Sequence, residues 1–216
     1  MAVLALLAMH LFCQQLYAEP VVSLTDWTSL VFSSETRYSP QPHCVLAEAD
    51  NSASSLLRNQ RVTLANTPWL AWGWRADQAA SGQRDGIDEQ SRAGDDFRAR
   101  VYVIYRGGSL ARTRALNYVW SAQYPPGSHW PNPYASRSIM VVVQRGAAAP
   151  DQWHYFIRDV KADFRRYHGI EIDQVDALAV MTDSDNRGGT VSTCFDLPRF
   201  IPAVINLLPS VNDGSP

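Results

Sequence analysis

The 216-residue sequence lacks several features that would assign it to a common functional class. It contains one lysine, Lys161, among 19 basic residues, and its formal charge is −2. Binding to nucleic acid or to an anionic membrane would require a basic excess that this balance does not supply. Glycine-rich phosphate loops, serine-hydrolase elbows and paired-cysteine metal motifs are also missing from the sequence. We therefore expect no nucleotide, zinc or nucleic-acid chemistry.

Long apolar runs are scarce as well. Val3-Leu-Ala-Leu-Leu-Ala-Met9 is too short to span a bilayer, but it has the length of a signal-peptide core. Ala18 offers a small residue for cleavage before Glu19, although no basic residue precedes the apolar core. We predict a signal peptide over residues 1–18, no transmembrane segment, and export to the periplasm or the medium.

The sequence has only three cysteines. Cys13 would leave with the signal peptide, so that Cys44 and Cys194 would remain. An even number of cysteines in an oxidising compartment predicts a disulfide between them. The alternative is a reactive thiol at Cys44, beside His43.

Short segments rich in β-branched and aromatic residues dominate the rest of the chain. In the segment Arg98–Tyr105, the side chains of Val101 and Val103 are predicted to face one way, and those of Arg100 and Tyr102 the other. The predicted strands are Cys44–Glu48, Pro68–Arg75, Arg98–Tyr105, Leu116–Ser121, Arg137–Gln144, Trp153–Arg158, Val175–Thr182 and Val191–Leu197, with weaker candidates at Trp27–Phe32 and Ser54–Leu64.

One helix is predicted between Asp159, which can cap its start, and Gly169, which can end it. A single helix cannot supply the crossovers of a parallel sheet. The sequence therefore predicts an all-β fold, an antiparallel jelly-roll β-sandwich with one short helix, as a single domain over residues 19–208 followed by a frayed tail over 209–216. Asp77–Gly94 is predicted to be irregular.

Aromatic residues alternate with prolines between Tyr124 and Tyr134. Sugar rings stack on such side chains, and prolines hold a loop rigid, so Tyr124, Trp130 and Tyr134 are candidate glycan-binding residues. Alternatively, these rings stack on the adjacent prolines and cover a sheet edge. Trp72 and Trp74 are predicted to lie in the core.

Acidic residues stand at the ends of two predicted strands. Asp95 and Asp96 precede one strand that contains Arg100, and Asp183, Asp185 and Asn186 end another. Three interpretations stay open: turn capping with ion pairs to Arg100 or Arg158, a calcium site, and a general acid and base. Arg187 and the lack of a final Glu exclude an EF-hand. Glu48 is a further candidate for the acid–base pair.

Several motifs in their order resemble the bacterial family known as domain of unknown function 3047. The motifs that carry this resemblance are Val45-Leu-Ala47, Ser52-Ala-Ser54 with Leu56, Trp72 with Trp74, Asp95-Asp-Phe-Arg-Ala-Arg-Val-Tyr-Val103, Asn117-Tyr-Val-Trp120, Arg158-Asp-Val160 with Asp163, and Met181-Thr-Asp-Ser-Asp-Asn186. The resemblance implies an exported bacterial protein whose sandwich is similar to galactose-binding-like carbohydrate modules.

The residues and the resemblance together favour an exported, non-catalytic β-sandwich that binds an envelope or extracellular glycan. In this interpretation Tyr124, Trp130 and Tyr134 stack on sugar, while Asp95, Asp96 and Arg100 bind its polar groups. No cofactor other than a calcium ion is expected. The alternatives are a carbohydrate-active hydrolase or lyase with paired carboxylates, and a structural partner in an envelope assembly.

Overall fold

The computed structural model describes residues 21–147, 149 and 151–202 as two β-sheets packed face to face. The predicted signal peptide (1–18) and frayed tail (209–216) lie outside the described residues. No helix among the described residues is long and apolar enough to cross a membrane.

The larger sheet has seven strands. In spatial order they are β1 (Thr28–Val31), β4 (Ala53–Thr63), β11 (Gln174–Asp183), β6 (Arg100–Tyr105), β7 (Arg114–Ser121), β9 (Ser138–Arg145) and β8 (His129–Pro131). All neighbours pair antiparallel except β7 and β9, which run parallel.

The smaller sheet has five strands, all paired antiparallel. In spatial order they are β10 (His154–Asp159), β5 (Trp69–Ser81), β12 (Thr190–Ile201), β3 (Cys44–Asp50) and β2 (Arg37–Gln41). Short 3₁₀ helices cover Arg92–Gly94 and Leu110–Arg112. The predicted all-β sandwich is confirmed.

The α-helix of the described residues, α1 (Val160–His168), has the predicted ends. The Asp159 side chain accepts a hydrogen bond of 3.0 Å from the Ala162 N–H. Gly169 ends the helix in the left-handed conformation, which glycine adopts at little cost. Val160 and Phe164 turn inward, and both are fully buried.

The main core fills the space between the two sheets. Trp72 and Trp74 of β5, both predicted to be core residues, are 1% and 0% exposed. The Trp72 ring stacks on Tyr118 from the opposite sheet, with 5.0 Å between ring centroids. Burial of such large side chains contributes about 1.5–3 kcal/mol each to the stability of the fold.

A second apolar cluster lies on the other face of the larger sheet. Val119 of β7 belongs to this cluster, whereas Tyr118 and Trp120 on the same strand belong to the main core. Because β7 is covered on both faces, its sequence does not alternate between apolar and polar residues. The members of this second cluster are Phe97, Val119, Trp130, Met140 and Val142, with Tyr124 packed against them.

The predicted disulfide is present. Cys44 at the start of β3 is bonded to Cys194 on the neighbouring strand β12, with the two Cα atoms 5.6 Å apart. Both cysteines are buried, at 3% and 1% exposure. The bond joins two positions that are 150 residues apart in the chain.

Three parts of the sheets differ from the sequence-based expectation. β5 continues to Ser81, into a segment predicted to be irregular. The strands β2 and β8 were not predicted, and both are short edge strands that contain a proline, Pro40 in β2 and Pro131 in β8. Proline cannot donate a ladder hydrogen bond, so it weakens the sequence signal of a strand and is tolerated at a sheet edge.

Candidate functional site

The outer face of the larger sheet contains a groove, which we call the sheet-face groove. It consists of two adjoining cavities of about 790 and 320 Å³. The residues that line both cavities are Phe32, Tyr102, Tyr134, Ala135 and Ser138.

Strand alternation places the lining residues on this face. Val101 and Val103 of β6 point into the main core, so Tyr102 and Ile104 point outward. On the adjacent strand β11, Leu178 and Val180 point inward in the same manner. The floor of the groove therefore consists of side chains from neighbouring central strands, which hold them at fixed spacing.

Aromatic rings form part of the walls. Phe32, which follows β1, is 62% exposed, and Tyr134 is 56% exposed. The Tyr134 hydroxyl shares its single proton between the Asn186 side-chain oxygen and, at 3.1 Å, the Arg92 carbonyl oxygen. These two bonds hold the Tyr134 ring at the rim while leaving much of its surface open to solvent.

The smaller cavity ends in an acidic cluster around Arg100, which we call the polar end. The Arg100 guanidinium donates to both carboxylate oxygens of Asp183, with 3.0 Å between Nε and Oδ1. Its Nη1 lies 3.3 Å from Oδ1 of Asp95, and its charge lies 4.7 Å from the centre of the Phe97 ring. The guanidinium thus neutralises part of the charge of two buried carboxylates.

Burial determines the acid–base behaviour of this cluster. It raises the pKa of the Asp183 carboxyl above its ordinary value; Arg100 opposes this shift, and the Asp96 and Asp95 carboxylates add to it. The pKa of Asp95 is also raised by burial, against the opposing effect of Arg100. The charge state of both carboxyls therefore depends on Arg100.

Asp96 has a different set of partners. It accepts hydrogen bonds from the backbone N–H groups of Asn186 and Arg187 and, at 3.1 Å, from the Asn186 side-chain amide. It therefore fixes the turn after β11 against the segment that precedes β6. This arrangement matches the predicted role of these acids in turn capping.

Three carboxylates could hold a cation. Asp96, Asp183 and Asp185 each bring one oxygen within 4.8 Å of the others. All four carboxylate oxygens of Asp96 and Asp183 already accept hydrogen bonds, and Arg100 places a positive charge against Asp183. Asn186, the third predicted ligand, directs its amide nitrogen to Asp96 and Asp185. Calcium binding at Asp183, Asp185 and Asn186, one of the three interpretations of the sequence, would have to displace these hydrogen bonds.

The three aromatic candidates of the predicted glycan-binding loop have different environments. Trp130 is 6% exposed, and its ring packs 5.1 Å from that of Tyr124 and 6.4 Å from that of Phe97. Tyr124 is half-buried, and its hydroxyl donates to Asp88. Of the three aromatic candidates, the structure thus brings only Tyr134 to the groove. Trp130 has no free ring face for a ligand. The predicted polar residues that line the groove are Asp95, Arg100, Asp183, Asp185 and Asn186.

Trp130 is buried because a segment outside the regular sheet covers it. Glu89 is 1% exposed and accepts hydrogen bonds from the Ser121 hydroxyl and, at 2.7 Å, from the Ala122 N–H. A Cβ atom on Gly94 would lie 2.1 Å from the Asp88 carbonyl oxygen, so the tight path of this segment requires glycine. This local structure brings Phe97 onto Trp130.

Glu48 does not join the acidic cluster. It lies on β3 of the smaller sheet and forms an ion pair of 2.6 Å with Arg37. Glu48 is therefore part of a surface ion pair on the smaller sheet, a kind of contact that contributes little to stability.

Sequence reasoning missed several groove residues. Phe32 is the last residue of the weakly predicted strand Trp27–Phe32, and nothing in the local sequence pattern indicated that its side chain borders a groove. Arg114 and Arg137 also line the groove, and they become neighbours only through the parallel pairing of β7 with β9. The outward orientation of Tyr102 did follow from alternation.

Similar solved structures are β-sandwiches of low sequence identity. The xyloglucanase domain of NopAA, a type three effector from Sinorhizobium fredii, is 8% identical, with a TM-score of 0.46 over 87% of this chain and 97% of that one. The endoglucanase Cel12A from Rhodothermus marinus is 10% identical, with a TM-score of 0.44 over 87% and 100%. The module TmCBM61, solved with β-1,4-galactotriose, is 9% identical, with a TM-score of 0.39 over 84% and 91%.

No curated protein matches the sequence. A family model does match, over residues 25–197, which include every strand from β1 to β11 and most of β12. Because this match spans most of the chain, the chain belongs to the family of proteins of unknown function DUF3047.

Proposed function

We propose that this protein is exported and binds a glycan in the sheet-face groove without cleaving it. The observation that carries the proposal is the pairing of two exposed aromatic rings, Phe32 and Tyr134, with the accessible polar side chains of Asp185 and Asn186 in one groove. Sugars present apolar C–H faces beside hydroxyl groups, so their binding sites combine ring surfaces with polar side chains.

The contacts of the carboxylates favour binding over hydrolysis. A glycosidase needs two carboxyl groups that reach the scissile bond from opposite sides. Here Asp95 and Asp183 are 4% and 2% exposed, and one guanidinium holds both. Such an arrangement orients the turn residues around the polar end and leaves little carboxylate surface for a substrate.

The disulfide supports export. Cys44 and Cys194 are paired, and bonds of this kind persist in oxidising compartments such as the periplasm. The binding partner would then be a polysaccharide of the envelope or of the surroundings.

Affinity electrophoresis of the protein through gels that contain different polysaccharides tests the proposal. We expect retardation in at least one gel without release of product, and weaker retardation for Phe32→Ala and Tyr134→Leu. Tyr155→Leu is the matched control, because Tyr155 is 66% exposed on the smaller sheet. Free migration in every gel, or loss of retardation only in Tyr155→Leu, would contradict the proposal; free migration would instead favour a protein partner.

A hydrolase or lyase is the second candidate, and one observation favours it. Asp185 lies at the polar end, is solvent-exposed, and has a pKa raised by partial burial and by Asp96. A raised pKa suits a general acid. Product release that disappears in Asp185→Asn, with retardation preserved, would establish this activity.

A further inference from the structure

We infer that the glycan bound in the sheet-face groove is acidic, and that Arg114 and Arg137 bind its anionic group. This inference rests on the proposed function. Arg114 starts β7, and Arg137 directly precedes the parallel strand β9. The Ala115 N–H donates to the Arg137 carbonyl oxygen at 3.1 Å, so the two arginines lie on adjacent segments of the sheet. Both line the larger cavity. We call this region the arginine end.

The two arginines lack acidic partners within the described part of the chain. Arg114 donates from Nη1 to the carbonyl oxygens of Ala111 and Thr113, at 3.3 and 3.0 Å. Arg137 forms no ion pair with any described residue. Arginines that do form such pairs are Arg37, Arg58, Arg61, Arg75, Arg100, Arg158, Arg165, Arg187 and Arg199. Outside this region, Arg84, Arg92, Arg98, Arg145 and Arg166 also form none with a described residue, so it is the location of Arg114 and Arg137 beside the groove that distinguishes them.

The neighbouring hairpin loop adds further positive charge. Arg106 and Arg112 flank the turn between β6 and β7, and neither forms an ion pair among the described residues. Arg106 donates from its side chain to Asn59, while its backbone N–H binds Asp176. Asp176 is itself paired with Arg61 at 3.3 Å. The arginine end therefore carries an excess of positive charge.

The acids at the polar end are too distant to neutralise this excess. Arg100 marks the polar end of β6, and Ile104 pairs with Ala115 beside the arginine end. Four residues of strand span about 13 Å, at about 3.3 Å each. This separation exceeds the Debye length of about 8 Å at physiological ionic strength. The groove thus has two oppositely charged ends, with Phe32 and Tyr134 bordering both cavities.

The chemistry of arginine identifies the ligand group. A guanidinium presents a planar set of donors that matches two oxygens of a carboxylate or a sulfate ester. A uronic acid or a sulfated sugar supplies such oxygens on a ring that can also contact the aromatic side chains. Neutral glycans would leave the arginine end without an anionic partner.

Affinity electrophoresis with matched polymers tests this inference on the full chain. Polygalacturonate is compared with its methyl ester, and dextran sulfate with dextran. We expect retention by at least one acidic polymer to be about tenfold stronger than by its neutral counterpart, which corresponds to about 1.4 kcal/mol. Retention should weaken as ionic strength rises. The two polymer pairs distinguish a carboxylate from a sulfate ester.

Arg114→Gln and Arg137→Gln should each weaken acidic retention, with the melting temperature unchanged. Arg145→Gln is the matched control, since Arg145 is exposed at the opposite end of β9 and its loss removes the same charge. Equal weakening in Arg145→Gln would indicate non-specific charge attraction and overturn the inference.

The two proposals can fail separately. Equal retention by acidic and neutral polymers that depends on Phe32 would overturn the acidic ligand and leave the proposed function intact. Acidic retention that depends on Arg114 and Arg137 but not on Phe32 would support the anion site and contradict the aromatic contacts of the proposed function. Free migration in all four gels would overturn both.

Discussion

Arg100 on β6 donates from two nitrogens to the carboxylate of Asp183 on the adjacent strand β11, and the two side chains are only 3% and 2% exposed. A buried pair of this kind depends on both members, because removal of one leaves the other charge without compensation. The pair also adjoins Asp95, so one guanidinium connects the end of β11 to the segment before β6.

Arg100→Met should lower the free energy of unfolding by about 3–5 kcal/mol, since Asp183 and Asp95 lose the guanidinium that binds both of them. Chemical denaturation measures the change. Arg37→Met is the control, because Arg37 pairs with Glu48 while 72% exposed, and we expect a much smaller loss. Equal losses would contradict the structural importance of the buried pair.

Trp130→Ala should lower stability by about 3–5 kcal/mol, because the ring is buried against Phe97 and Tyr124. Phe32→Ala, at an exposed position, should stay within about 0.5 kcal/mol of the parent protein. Thermal melts of the two variants provide the comparison. An unchanged melting temperature for Trp130→Ala would mean that this ring is not part of a packed cluster.

Replacement of both disulfide cysteines, Cys44→Ala with Cys194→Ala, should cost about 2–4 kcal/mol of stability, mainly because the unfolded chain is no longer cross-linked. Thiol titration of a denatured chain that begins at Glu19 should detect no free thiol without reductant. Two free thiols in the oxidised protein would contradict the bond.

Acid should destabilise the protein in part through His168. Burial lowers the pKa of this imidazole, and Arg114 acts in the same direction, while a 2.9 Å hydrogen bond with the Ala115 carbonyl opposes them. The folded state therefore favours neutral His168, so its contribution to stability is complete above the unfolded pKa of about 6.5 and decreases as the pH falls below that value.

His168→Gln should remove this part of the pH dependence, up to about 1.4 kcal/mol per pH unit. Denaturation curves between pH 5 and pH 7 measure the slope. His154→Gln shows how much of the remaining slope comes from the other histidine whose pKa burial lowers. An unchanged slope in His168→Gln would contradict the assignment.

Calcium at about 1 mM, a concentration at which extracellular calcium modules bind, should leave the melting temperature unchanged relative to excess chelator. The reason is that Arg100 and backbone N–H groups already bind oxygens of Asp183 and Asp96. A rise in melting temperature with calcium, abolished in Asp185→Asn, would instead establish a calcium site at these carboxylates.

Local patterns in the sequence were sufficient to predict much of the secondary structure of the sandwich. Alternation in Arg98–Tyr105 correctly placed Tyr102 opposite Val101 and Val103, and the cap at Asp159 and the end at Gly169 correctly bounded the helix. These features depend on interactions within a few residues of chain, so a single sequence reveals them.

The surroundings of Trp130 could not be predicted in this way. Its burial depends on the pairing of β8 with β9 and on the approach of Phe97 from a distant segment. The proximity of Arg114 to Arg137 likewise depends on the parallel pairing of β7 with β9. Both features depend on the pairing of strands that are distant in sequence, and the spacing of residues within a short segment does not indicate which strands will pair.

The positions of the last two strands affect how the protein is made. β11 lies between β4 and β6 in the larger sheet, and β12 lies between β5 and β3 in the smaller one. The larger sheet cannot be completed until the ribosome has synthesised β11, and the smaller sheet cannot be completed until it has synthesised β12. A nascent chain of this protein therefore lacks the centre of the two sheets until β11 and β12 have been synthesised, and premature termination before β11 removes the centre of both layers at once.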